Sequence, residues 1–179
     1  MSSALAEGRQ SDTSKWHKQA PPETKWFRIA LLGSVVIGAL IRFSYIASFI
    51  GRPAPAVRGD GFSYHLDAIR LSEGLGYTAT FWNGAEAAHH PPGWVTVLGG
   101  FSALGLDDLL SHQIIGALIG LLIIVVAALI GRRLFGEVTG GVAGAIAALY
   151  PGFWVLEAQI LAEPLAILML GLSIIALYR

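Results

Sequence analysis

The stretch Leu109–Ile130, LLSHQIIGALIGLLIIVVAALI, decides the fold class. After Gln113, every residue up to Ile130 is Ile, Leu, Val, Ala or Gly. A helix needs about 20 such residues to cross the hydrocarbon core of a bilayer. The run is apolar on all sides and does not alternate. It therefore reads as a helix that satisfies its own backbone, and not as a strand of a barrel. The composition agrees: 54% of the chain is hydrophobic and 13% is charged, with a mean hydropathy of +0.62. A soluble domain carries about 25% charged residues.

Three further runs of this kind flank the first. They are Trp26–Ile50, Val138–Leu156 and Ile160–Tyr178. The expectation is an all-α integral membrane protein with about four transmembrane helices, at 26–50, 109–130, 138–156 and 160–178. Residues 1–25, rich in Ser, Gln and Lys, read as a disordered cytoplasmic tail. Ala54-Pro55-Ala56 resembles a signal-cleavage site, but the run before it is too long for a signal peptide. Residues 51–108 read as an extracytoplasmic loop with two short juxtamembrane helices. One is amphipathic, at 62–73, with Phe62, Leu66 and Ile69 on one face and Ser63, Asp67 and Arg70 on another. The other, at 92–106, is apolar but too short to span and is expected to lie against the membrane.

Charge sets the orientation. Lys15, Lys18 and Lys25 precede the run Trp26–Ile50 and Arg28 lies at its start, Arg132 and Arg133 follow Leu109–Ile130, and Arg179 follows the last run. The positive-inside rule places all three groups in the cytoplasm. Four crossings satisfy that rule, and the loop then faces outward. The formal net charge is zero with no long basic run, so nothing points to nucleic acid. The chain has no cysteine, which excludes disulfides, thiolate catalysis and cysteine metal sites.

The polar island between the spans holds the candidate chemistry. It contains Arg58-Gly59-Asp60-Gly61-Phe62-Ser63-Tyr64-His65, then Glu73-Gly74-Leu75-Gly76-Tyr77, then His89-His90-Pro91-Pro92-Gly93. Ionisable groups kept beside apolar spans mark a functional-site hypothesis. Asp60, between two glycines, is a candidate general base; its plainer reading from the residues alone is a helix N-cap, and the two roles are compatible. Arg42 lies inside the first run, where a charge costs about 2.5–3.5 kcal/mol at mid-membrane. It reads as snorkelling to the outer interface or as a phosphate ligand, a role Arg58 could share. Further on come Tyr150-Pro151-Gly152, Glu157 and Ala162-Glu163-Pro164-Leu165. Glu163 is either a first-turn acid favoured by the helix dipole or a group that orients Arg or His from the loop. His89 and His90 are adjacent and lack an obvious third ligand, so no metal site is assigned to them.

The order of these elements resembles the GT-C superfamily of polyprenyl-phosphate-sugar-dependent glycosyltransferases, which includes the protein O-mannosyltransferases and the aminoarabinose lipid A transferases. The shared pattern is an acid after the first span, an amphipathic helix, Gly-x-Gly-Tyr, His-Pro-Pro, and later Glu-Pro-Leu after a proline break. The resemblance covers about residues 29–178. It implies a partial GT-C fold and transfer of a sugar from a polyprenyl-phosphate donor to a glycan, lipid or protein acceptor at the outer face of a bacterial plasma membrane. Asp60 would be the catalytic base. His90, with His89, Arg58, Arg42 and Glu163, would bind substrate. The resemblance leaves a divalent metal open. This chain departs from the pattern in lacking a second acid after Asp60 and in carrying Ala162 where the family has a hydroxyl.

Because the superfamily carries more membrane helices, the chain reads as the N-terminal part of such an enzyme, inactive alone. The alternative is a small non-catalytic membrane protein, a transporter fragment or assembly subunit. Its glycines, including Gly116-x-x-x-Gly120, would serve helix packing, self-association or a second membrane chain.

Overall fold

The computed structural model describes residues 24–50, 57–78 and 90–178. All regular elements among these residues are helices: α1 (Lys25–Ala47), α2 (Asp60–Ser72), α3 (Pro92–Ser102), α4 (Leu109–Phe135), α5 (Glu137–Leu149), α6 (Pro151–Ala158) and α7 (Glu163–Leu177). Most of the tail expected over 1–25 lies outside the described residues, as do His89 and Arg179.

The long apolar run becomes α4, the central helix, against which α1, α5, α6 and α7 pack. Asp108 caps it by accepting from the Ser111 backbone N–H at 2.9 Å and the Ser111 hydroxyl at 2.6 Å. Gly136, at φ 97°, ends it and starts α5 without a linker. The α4–α5 hairpin is tight because glycines form its seam. A Cβ on Gly140 would overlap the Ala128 carbonyl and Arg132, and one on Gly144 would crowd Ala128. Gly116 and Gly120 are likewise occupied within the chain, by Glu157 of α6.

Two helices are long and apolar enough to cross a membrane, α1 with 23 residues and α4 with 27. The outer face of α1 exposes Ile29, Leu32, Val36 and Leu40 at helical spacing. Such a stripe is costly in water and suited to hydrocarbon. The other two expected spans are corrected. The run 138–156 is not one helix but α5 and α6, bent by 46°. Pro151 causes the break, since its ring removes an N–H and clashes with the preceding turn. The pair counts as a third span only if taken together. The run 160–178 is helical only from Glu163. Ile160 sits at φ 59° and ends the preceding turn, and Pro164 opens the new helix. The 15 residues of α7 rise about 22 Å, short of a core of about 30 Å.

The bundle has two distinct ends. At one, the Thr24 backbone N–H donates to Glu137 Oε1 at 2.9 Å and its hydroxyl donates to Oε2. There the Arg132 guanidinium lies 5.0 Å from the Phe27 ring centroid. Lys25, Arg28, Arg132 and Arg133 thus share that end. At the other, α2 and α3 pack on each other and over the start of α4. Both short helices fall close to their expected positions, α3 ending four residues earlier than the expected 106.

Candidate functional site

The site is organised by the turn between α6 and α7. Three consecutive carbonyls of this turn are each held by a different element. Gln113 of α4 donates to the Ala158 carbonyl at 2.8 Å. The Gln159 carbonyl rests on Gly61 of α2, where no Cβ would fit. The Trp94 indole of α3 donates to the Ile160 carbonyl at 2.8 Å. The Gln159 side chain also accepts from the Arg58 backbone N–H at 3.3 Å. Ile160 is fully buried, and a β-branched residue at positive φ stores about 1–3 kcal/mol. The three anchors hold it there.

This clamp brings the start of α7 against α2 and encloses a cleft of about 470 Å³. Asp60, Tyr64 and Glu163 supply its polar groups, and Trp94, Leu165 and Met169 much of its apolar wall. Asp60 is the first residue of α2 and 77% exposed. Gly59 occupies the N-cap position, and no side-chain capping bond is made. The carboxylate of Asp60 is therefore not consumed by capping. Glu163 is exposed in the first turn of α7 and has no ion-pair partner among the described residues. Tyr64 is 5% exposed, and its hydroxyl has no hydrogen-bond partner among the described residues. Burial, then the charges of Glu163 and Asp60, push its phenol above the ordinary value. It stays protonated at neutral pH as a hydrogen-bond donor.

His90 sits behind Asp60. Its Nε2 is 3.9 Å from Asp60 Oδ1, its Nδ1 is 3.5 Å from Asp67 Oδ2, and its ring packs 4.4 Å from that of Tyr64. Asp60, Tyr64 and Asp67 share one helix face at i, i+4 and i+7. That spacing was readable in the sequence, and it adds Tyr64 and Asp67 to the site. Arg58 has an exposed side chain two residues before Asp60.

Arg42 lies elsewhere. It is 1% exposed and neither snorkels nor faces the cleft. Its Nε donates to Glu157 Oε2 at 2.6 Å and its Nη2 to Oε1 at 3.0 Å. It also donates to the Ala148 carbonyl at 3.3 Å and to the Ala147 carbonyl at 3.5 Å. In an unbroken helix the Ala147 carbonyl would accept from residue 151, but that residue is proline. Arg42 supplies the donor that Pro151 lacks, and Glu157 balances its charge.

A second polar cluster joins α2, α3 and α4. His65 Nδ1 lies 3.0 Å from His112 Nδ1, and His112 Nε2 lies 3.0 Å from Ser102 Oγ. All three residues are buried. Burial lowers the His65 pKa, and the charges of Asp108 and Asp107 oppose that shift in part. Nothing in the sequence pattern pairs these histidines, which are 47 residues apart.

Among the described residues, no group of three or more histidine, cysteine or carboxylate side chains is placed to hold a metal ion. Comparison with protein-family models, curated proteins and solved structures finds no match for this chain.

Proposed function

We propose that the chain forms the base-bearing side of a membrane glycosyltransferase that uses a polyprenyl-phosphate sugar at the extracytoplasmic face. The observation that carries this reading is the cleft that gathers Asp60, Tyr64 and Glu163 at the end of the bundle opposite the basic residues. A sugar on a lipid phosphate already has a leaving group. What transfer needs is a base for the acceptor and positive charge for the departing phosphate. Asp60 removes the proton from the acceptor hydroxyl or amine. The acceptor heteroatom bonds to the sugar's anomeric carbon, and the bond from that carbon to the phosphate oxygen breaks, its electron pair leaving with the phosphate. Arg58, two residues before Asp60, and His90, whose Nε2 lies 3.9 Å from Asp60 Oδ1, are the groups we assign to that charge. Arg42 drops out of the substrate-binding set, because its donors are spent on Glu157 and on the carbonyls of Gly38, Ala147 and Ala148.

The non-catalytic reading loses part of its support, since the glycines on which it drew pack within the chain. The deciding experiment incubates membranes that contain the native protein with a panel of polyprenyl-phosphate sugars and follows release of polyprenyl phosphate. Release that needs an acceptor supports the enzyme. Its absence across the panel supports the scaffold.

A further inference from the structure

The cleft that holds Asp60 has a charge pattern that selects its occupant. Among the described residues its lining carries two carboxylates, Asp60 and Glu163, and no cationic side chain. Tyr64, a residue 95% removed from solvent, lines the same space, and its hydroxyl has no hydrogen-bond partner among the described residues. From Glu163 the lining continues along α7 through Ala166 to Met169, at three-residue steps on one helix face, with Leu165 beside them. Met169 is 54% exposed on a helix whose exposed residues beyond Glu163 are apolar except Ser173, so the lane opens sideways to lipid.

We propose that this cleft is the acceptor subsite and that it takes a bilayer amphiphile with a primary ammonium headgroup. The ammonium sits between Asp60 and Glu163, an oxygen of the headgroup accepts from Tyr64, and the alkyl chain lies along Leu165, Ala166 and Met169. An anionic headgroup is disfavoured there. Two carboxylates facing a partly apolar space repel it, and the low local dielectric strengthens that repulsion. The lipid phosphate of the donor is then expected outside this lining, with Arg58 and His90 as its candidate contacts. This inference rests on the reading of Asp60 as the base of transfer, but it concerns binding and can be tested without turnover.

The test is native mass spectrometry of the protein with dodecylamine, dodecanol and dodecyl phosphate as probes. The expected result is saturable binding of one dodecylamine per chain, with dodecyl phosphate failing to displace it. Asp60→Asn and Glu163→Gln should each weaken dodecylamine about two- to fivefold, the range for a partly exposed ion pair. Both variants conserve size, so folding is not at stake. Met169→Trp, with both charges intact, should block the lane and lower binding of the amine. Equal or tighter binding of dodecyl phosphate overturns the proposal, as does amine binding indifferent to Asp60→Asn and Glu163→Gln. If the amine binds as stated while Asp60→Asn retains transfer, the subsite stands and the catalytic reading fails. If Asp60→Asn abolishes transfer while dodecylamine ignores both carboxylates, the catalytic reading stands and the subsite fails.

Discussion

Arg42 and Glu157 form an ion pair, at 2.6 and 3.0 Å, that is 1% exposed on both sides and tied to a broken helix. A buried pair of charges is seldom a net source of stability. Here the arginine has a second task, supplying the Ala147 and Ala148 carbonyls at the Pro151 break. The pair therefore fixes where α6 leaves α5, and so where the α6–α7 turn meets Trp94 and Gly61.

Removing one partner should cost more than removing the pair. Arg42→Met leaves a buried carboxylate unpaired and the Ala147 carbonyl without a donor, a loss of about 3–5 kcal/mol. Glu157→Gln, which keeps an acceptor, should be milder. The double variant should recover part of the loss but not all, because the carbonyl stays unsatisfied. Gly120→Ala should also destabilise, by about 1–3 kcal/mol, since its Cβ would overlap the Glu157 carboxylate. Thermal unfolding in detergent checks the order. Full recovery in the double variant would show that the carbonyl contacts contribute nothing.

The packing of α2 on α4 should weaken in acid. Burial depresses the folded-state pKa of His65, so below its unfolded value of about 6.5 the unfolded chain binds more protons and stability falls with pH. A proton on both His65 and His112 would also set two cations 3.0 Å apart. Hydrogen exchange of α2 at pH 7.5 and 5.5 reads this directly. His65→Asn should remove much of the dependence, whereas an unchanged pH response would assign it elsewhere.

Trp94→Phe keeps most of the ring volume and removes the donor to the buried Ile160 carbonyl. It should cost about 1–3 kcal/mol, the range for a buried polar group left unpaired. Wild-type stability in that variant would mean that the strained turn does not need this anchor.

Orientation can be tested by cysteine labelling, because the chain has no native cysteine. Glu73 is exposed at the end of α2, and Phe135 is 73% exposed at the opposite end of the bundle. A cysteine at residue 73 should react with an impermeant reagent from outside, and one at residue 135 only after the membrane is opened. The reverse pattern would invert the topology.

The helical class was legible in the sequence because apolar runs allow little else, and the short helices were legible from amphipathic spacing and His-Pro-Pro. The broken spans were not, although Pro151 and Pro164 were visible. Hydropathy integrates over a window and does not register a missing N–H or a positive φ at Ile160. Asp60 and Glu163 were singled out from the sequence, and both line one cleft. Arg42 was misjudged because its partner, Glu157, lies 115 residues away and spacing cannot reveal such a pair. Tyr64 was overlooked because an aromatic residue on a short amphipathic helix reads as packing until a cavity opens beside it.

The most direct measurement is transfer by membranes containing the Asp60→Asn protein, compared with wild type and Asp60→Glu at equal expression and equal thermal stability. Asparagine keeps the size of the side chain and removes its basicity. The expected result is loss of at least about 100-fold in turnover with asparagine, in line with removal of a general base, and partial activity with glutamate. Near-normal turnover by the Asp60→Asn protein would contradict the account.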